Sequence, residues 1–60
     1  MKDLFEHYTE LPIEVQQVLD NHSEIETYED CERLIKELNS IGYTCDYSLD
    51  AVPFGLQKLN

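Results

Sequence analysis

The sequence predicts an α+β domain in which two or three N-terminal helices pack on one face of a C-terminal antiparallel β-hairpin, residues about 43–59. Apolar residues recur every three or four positions in residues 11–19 and 28–41, a spacing typical of amphipathic helices. From residue 43 onward, apolar and polar residues alternate strictly, which indicates a half-buried strand. The alternative fold is a cluster of helices followed by an extended tail.

The first two predicted helices lie within residues 1–23. Asp3 and Glu6 have the spacing of a capping box and predict a short helix over residues 4–8, which must dock because it is too short to stand alone. Pro12 suits the first position of the second helix, where the missing N–H would be unpaired anyway. The apolar stripe of that helix comprises Leu11, Val15, Val18 and Leu19.

The third predicted helix has the clearest signals. Thr27 followed by Asp30 resembles a capping box, and Gly42 stands where a glycine commonly ends a helix. Its apolar stripe comprises Tyr28, Cys31, Leu34, Ile35, Leu38 and Ile41. Its other side carries two acid–base pairs spaced for stabilising contacts, Glu29 with Arg33 and Glu32 with Lys36.

The hairpin is predicted from residues 43–59. One strand face would carry Tyr43, Cys45, Tyr47 and Leu49, and the opposite, solvent-facing side Thr44, Asp46, Ser48 and Asp50. Pro53 breaks the pattern because proline is not found in a paired central strand, and a second, shorter strand would follow through residue 59. The predicted core is Phe5, Leu11, Val15, Val18, Leu19, Tyr28, Cys31, Leu34, Ile35, Leu38, Ile41, Tyr43, Cys45, Tyr47 and Leu49.

Size and charge restrict the class of protein. Sixty residues form a single domain, 1–60, of marginal stability, and an apolar share of 42% favours a folded chain. Thirteen acidic residues against four basic ones give a net charge of −9, which disfavours direct binding to nucleic acid or to an anionic membrane. Basic protein surfaces and cations remain as partners, although the charge is first interpreted as a source of solubility and self-repulsion. The first residues lack the apolar run of a leader, so we expect a complete, cytoplasmic gene product.

Cysteines, histidines and acidic residues are the candidate site residues. Cys31 and Cys45 lie on predicted inward faces and are interpreted as buried, inert thiols. The alternatives are a disulfide, or a zinc site that adds His7 or His22, although these ligands are scattered along the chain. The run 24–32 offers a possible interaction surface for a basic partner, formed by Glu24, Glu26, Glu29, Asp30 and Glu32. The sequence favours the other interpretation of this run, a solvated surface whose Glu29 and Asp30 complement the dipole of the third helix.

Three stretches carry a resemblance to a known group. They are "DLFEHY" at 3–8, "LP" at 11–12 and "IGYTCDYSLDAVPFGLQKLN" at 41–60. Together they resemble small acidic proteins of bacterial genomes, phages and mobile elements that carry "GYTFDYGLDAEPYGLRKI" near the end of a chain of similar length. The resemblance implies no activity, cofactor or catalytic residue. This chain has Cys45 where the group has an aromatic residue and Gln57 where the group has a basic one, so a thiol-dependent or basic site common to the group is not indicated.

Three functional hypotheses follow. The first is a protein-interaction module without catalytic activity, cofactor or metal, since no nucleotide loop or catalytic motif occurs in the sequence. The second is an acidic mimic of DNA that occupies a nucleic-acid-binding protein, which requires carboxylates arrayed along one exposed face. The third is a metal- or thiol-dependent protein. A homodimer is a further expectation, because a small core and a free strand edge both favour association.

Overall fold

The computed structural model describes residues 4–59 and confirms the α+β architecture. A 3-10 helix at Tyr8–Glu10 precedes helix α1 (Ile13–Asn21) and helix α2 (Tyr28–Ser40), and strands β1 (Tyr43–Tyr47) and β2 (Pro53–Lys58) follow. The two strands form one antiparallel sheet. Helix α2 packs on β1 and α1 packs on α2, so the C-terminal hairpin supports the helices as the sequence predicted.

The N-terminal segment differs from the predicted helix over residues 4–8. Residues 4–7 form turns, and the helical part is the single 3-10 turn Tyr8–Glu10, while Asp3 lies outside the described residues. One turn gains too few hydrogen bonds to offset its nucleation cost. A tertiary contact holds the segment instead: the buried Leu4 donates its backbone N–H to the carbonyl of Pro53 at 2.9 Å.

Helix α1 begins one residue later than predicted. Pro12 is the residue before the helix, with an extended ψ of 147°, and its carbonyl accepts from the N–H groups of Val15 and Gln16, each at 3.0 Å. The apolar stripe faces the core as expected: Val15, Val18 and Leu19 are buried. Ile13 at the opposite side is 68% exposed.

Helix α2 confirms both of its predicted ends. The Thr27 hydroxyl accepts from the N–H of Asp30, and the Asp30 carboxylate accepts from the N–H of Thr27 at 3.0 Å, which together form the capping box. Beyond the last turn, Gly42 has a φ of +89°, a conformation that favours glycine. This turn redirects the chain from α2 into β1 within two residues.

The hairpin departs from a regular ladder at Gly55. Thr44 pairs with Gln57 and Asp46 with Phe54, so the single residue Cys45 faces both Gly55 and Leu56. Gly55 has a φ of +69°, which marks a bulge of the type that uses a left-handed glycine. Because the bulge shifts the alternation, Leu56 packs against the core whereas Phe54 shares the outer face with the exposed Asp46.

Two strand predictions need correction. Strand β1 ends at Tyr47, whereas the alternating pattern continues to Asp50, and β2 is the longer strand, with six residues against five. Pro53 opens β2 opposite Tyr47. Its missing N–H is tolerated there because both strands of a two-stranded sheet are edges.

The core lies between α1, α2 and the inner face of the hairpin. Its buried residues are Leu4, Val15, Val18, Leu19, Cys31, Leu34, Leu38, Cys45 and Ala51, and the predicted Phe5, Leu11, Ile35, Ile41 and Tyr43 pack around it partly buried. Tyr47 is half-buried. Two core predictions are wrong: Leu49 is 91% exposed and Tyr28 is 46% exposed. Leu4 and Ala51 occupy buried positions that were not predicted.

Candidate interaction site at the hairpin tip

The loop that joins β1 to β2 is a tightly bonded turn. The N–H of Ser48 donates to the carbonyl of Val52, and the N–H of Ala51 donates to the carbonyl of Ser48, both at 3.0 Å. The Ser48 hydroxyl accepts from the N–H groups of Asp50 and Val52, each at 3.3 Å. Ser48 and Val52 thereby close a three-residue turn, 49–51, and its third residue, Ala51, has a φ of +60°, as expected for a three-residue hairpin loop. This bonding holds Leu49 and Asp50 at the tip.

Tyr28, the first residue of α2, fixes the tip from the other side. Its hydroxyl donates to the carbonyl of Leu49 at 2.6 Å, and its ring lies 5.5 Å from the ring of Tyr47, tilted by 39°. These contacts explain why both mispredicted residues are exposed. Tyr28 spans from the helix to the turn, and Leu49 belongs to the turn rather than to the strand.

A cleft separates the start of α2 from the hairpin tip. It measures about 330 Å³ and is lined by Glu26, Thr27, Tyr28, Leu49, Asp50 and Ala51. Its large apolar lining residues are Tyr28 and Leu49, and its acidic ones are Glu26 on the helix side and Asp50 on the hairpin side. Neither carboxylate makes a hydrogen bond or an ion pair with another residue between 4 and 59. We name these six residues the tip cleft.

The tip cleft includes only part of the predicted acidic surface. Of the five acids in the run 24–32, Glu26 alone lines it. Glu24, Glu29 and Glu32 are exposed outside the lining residues, and Asp30 is used within the chain. The second cleft carboxylate, Asp50, was assigned from sequence to the outer strand face. The turn composition Ser-Leu-Asp-Ala was the available signal, but it does not show which helix the tip contacts.

Asp30 is a structural residue. Its carboxylate accepts from the backbone N–H groups of Glu26 at 2.9 Å and Thr27 at 3.0 Å and from the guanidinium of Arg33 at 2.5 Å. Arg33 therefore pairs with Asp30 rather than with the predicted Glu29. The N–H of Glu26, then Arg33 and the N–H of Thr27, lower the pKa of Asp30 to about 2, since each stabilises the charged form.

Asp30 makes a pH-dependent contribution to stability. Its folded pKa of about 2 lies below its ordinary value of 3.8. The contribution is therefore complete above about pH 4 and is lost as the pH falls through 2. We expect the carboxyl ¹³C shift of Asp30 in the folded protein to titrate with a midpoint near pH 2, and Thr27→Val to raise that midpoint by removing the reciprocal cap. A midpoint near 4 in the unsubstituted protein would contradict the assigned network.

The thiols are confirmed as free and buried. Cys31 Sγ donates to the carbonyl of Ala51 at 3.3 Å, which ties α2 to the loop beneath the tip cleft. Burial raises the pKa of Cys31, and the nearby Asp30 and Glu32 raise it further. Burial, with a smaller effect of Cys31, raises the pKa of Cys45 to about 11. The reactive thiolate is thus disfavoured at both positions.

The histidines contact carboxylates away from the thiols. His7 lies 3.3 Å from a carboxylate oxygen of Glu10, and the ring of His22 contacts the carboxylate of Glu37 across from α1 to α2. Among residues 4–59, no three side chains of the His, Cys, Asp and Glu types converge as a metal site would require. The structure therefore does not bring His7 or His22 together with both cysteines.

Within residues 4–59, neither helix has the length and apolar character needed to cross a bilayer.

Comparisons with protein-family models, curated proteins and solved structures returned no match to this chain. The resemblance to small acidic proteins of bacteria, phages and mobile elements therefore stays a prediction.

Proposed function

We propose that the protein is an interaction module without catalytic activity that binds another protein through the tip cleft. One observation carries the proposal: Leu49 is 91% exposed while its backbone is held in place by Tyr28 and by the bonded turn. An apolar side chain on a fixed backbone loses little conformational freedom when it is buried against a partner. This is the property that makes a residue suitable as a binding anchor.

Exposure alone would not support the proposal, because single exposed apolar residues are common on protein surfaces. Ile13 is such a residue: it is 68% exposed in the first turn of α1, and it is not among the residues that line the tip cleft. Leu49 differs because it lies beside a second exposed apolar side chain, Tyr28, in a concave site. Ile13 therefore serves as the matched control for Leu49.

The acidic-mimic hypothesis receives less support. The described acidic residues are spread over the N-terminal turns, both helices, the connecting loops and β1. On α2, the helix with the most acids, Arg33 and Lys36 interrupt the row. A mimic of DNA needs closely and regularly spaced negative charge along one face.

We extend the proposal to a cytoplasmic location, which two free thiols support because reducing compartments keep cysteines unpaired.

A comparison of two variants tests the proposal. Leu49→Asp and Ile13→Asp each replace an exposed aliphatic residue with a charge, so both should fold. We expect affinity capture from the cells that encode the protein to retain one partner on the unsubstituted protein and on Ile13→Asp but not on Leu49→Asp. The purified partner should then bind Leu49→Asp at least about 30-fold more weakly, as expected for loss of a central anchor worth about 2 kcal/mol.

Three results would contradict the proposal. One is that no captured protein distinguishes the two variants. Another is a self-association that Leu49→Asp abolishes, measured by sedimentation across a dilution series, because the occupant of the tip cleft would then be a second copy of the chain. Loss of the partner from Ile13→Asp alone would place the interface on α1 and would equally overturn the assignment.

A further inference from the structure

We infer that the tip cleft binds a cationic side chain of the partner, an arginine that lies next to an apolar residue. The inference rests on the proposed function and specifies the chemistry of the partner. It follows from three properties of the tip cleft: two carboxylates without a partner in the described chain, an exposed tyrosine ring with a fixed orientation, and an exposed leucine.

The charge of the tip cleft favours a cation. Glu26 and Asp50 come from opposite walls, and neither is neutralised by another residue between 4 and 59. Of the basic residues described, Arg33 is engaged with Asp30, and Lys36 and Lys58 are not among the lining residues. A single positive charge from the partner therefore offsets one of the two negative charges of the tip cleft, and the net charge of −9 attracts it from a distance.

The tyrosine favours arginine over a compact ammonium group. The Tyr28 hydroxyl is occupied by the carbonyl of Leu49, and one side of the ring contacts Tyr47. Tyr28 is nevertheless 46% exposed, and it lines the tip cleft together with the two acidic residues Glu26 and Asp50. A planar guanidinium stacks on such an aromatic ring while it donates hydrogen bonds in its own plane, which an ammonium group cannot do in the same way.

Leu49 is the reason for inferring an apolar residue next to the arginine of the partner. The long methylene stem of an arginine covers apolar surface while its charged end reaches a polar group, and Leu49 offers such surface at the rim. The volume of about 330 Å³ is sufficient for an arginine side chain. A second copy of this chain is disfavoured as the occupant, because its own acidic tip cleft would be brought against Glu26 and Asp50.

Peptide titration tests the inference directly. The probe is the capped peptide acetyl-Gly-Leu-Arg-Leu-Gly-amide, and its control replaces arginine with citrulline, which keeps the shape without the charge. Binding is followed by ¹H–¹⁵N shifts of the ¹⁵N-labelled protein at about 0.1 M salt. We expect saturable shifts at Tyr28 and at residues 49–51 with the arginine peptide only, and weaker shifts with a lysine peptide.

Two double variants distinguish binding at the tip cleft from a general effect of the net charge of the protein. E26Q/D50N removes the two cleft carboxylates, and E29Q/E32Q removes two exposed carboxylates of α2 outside the cleft, so the change in net charge is the same. We expect E26Q/D50N to weaken the arginine peptide roughly five- to tenfold, as two partly desolvated ion pairs would. E29Q/E32Q should weaken it less than about twofold, since salt screens charges beyond the first contact.

Equal weakening by the two double variants would show a bulk charge effect and overturn the inference. Equal binding of the citrulline peptide, or no saturable shift up to about 10 mM arginine peptide, would also overturn it. These outcomes are separable from failure of the proposed function. If Leu49→Asp still loses its partner, the interaction module stands with a different ligand chemistry; if the arginine peptide binds but Leu49→Asp loses no partner, the proposed function is wrong.

Discussion

Replacing Leu34 with alanine is expected to lower the free energy of unfolding by about 2–5 kcal/mol. Leu34 has no exposed surface and packs in the core formed by α1, α2 and β1, so the substitution removes apolar contacts and leaves a cavity. Domains of this size have a total stability of only about 3–9 kcal/mol. The substitution should therefore remove a large part of the free energy of unfolding of the domain.

The same chemical change at Leu49 is the matched control. Leu49 is 91% exposed, so Leu49→Ala should change the free energy of unfolding by no more than about 0.5 kcal/mol. Urea unfolding followed by far-ultraviolet circular dichroism measures both variants. Similar losses of stability would show that Leu49 is packed in the folded protein, and the description of the tip cleft would then fail.

Replacing Gly42 with alanine is expected to cost about 1–2 kcal/mol of stability. The φ of +89° at Gly42 is unfavourable for any L-residue with a Cβ atom. A Cβ atom built at this position meets no other atom within 4 Å, so the penalty arises from the backbone rather than from a steric clash with a neighbour. The turn also matters for the hairpin, since the carbonyl of Gly42 accepts from the N–H of Leu59 at 2.8 Å.

The variant Gly42→Asn distinguishes a backbone penalty from a steric clash of the side chain. Asparagine tolerates positive φ better than alanine although it is the larger residue. A backbone penalty thus predicts the stability order glycine, asparagine, alanine in thermal unfolding. If Gly42→Asn is less stable than Gly42→Ala, side-chain volume decides the result, and the assigned turn between α2 and β1 is wrong.

Local signals were sufficient to predict α2 and the architecture. Its apolar spacing, the Thr27–Asp30 box and Gly42 all indicate the same helix, and each depends on residues a few positions apart. The N-terminal segment was predicted less well because its position depends on the contact of Leu4 with Pro53, 49 residues away along the chain. The spacing of apolar residues within 4–8 could not predict a contact with a residue so far away in sequence.

The hairpin shows how alternation can mislead. Leu49 continues the inward parity of Tyr43, Cys45 and Tyr47, yet the strand ends at Tyr47 because the Ser48 hydroxyl and backbone close a turn there. The bulge at Gly55 then changes which residues of β2 point toward the core. The turn and the bulge each contain a residue with positive φ, Ala51 and Gly55 respectively. Only the glycine could have indicated such a conformation from the sequence.

The tip cleft was predicted only in part, because it is formed by residues that are distant in sequence. Sequence proximity grouped Glu26 with the other acids of residues 24–32, whereas the structure groups it with Asp50 across the tip cleft. The link is the hydrogen bond from Tyr28 to Leu49, which joins residues 21 positions apart. A contact of that kind follows from the packing of α2 on the hairpin and not from any local pattern.

Binding of a protein partner at the tip cleft can be measured in the native cell by site-specific photo-crosslinking. A benzophenone side chain is introduced at position 49 in one variant and at position 13 in the other, since both positions are exposed. We expect one protein partner crosslinked through position 49, with its attachment point next to an arginine, and none through position 13. Crosslinks through position 13 alone, or equal crosslinking at both positions, would contradict the tip cleft as the binding surface.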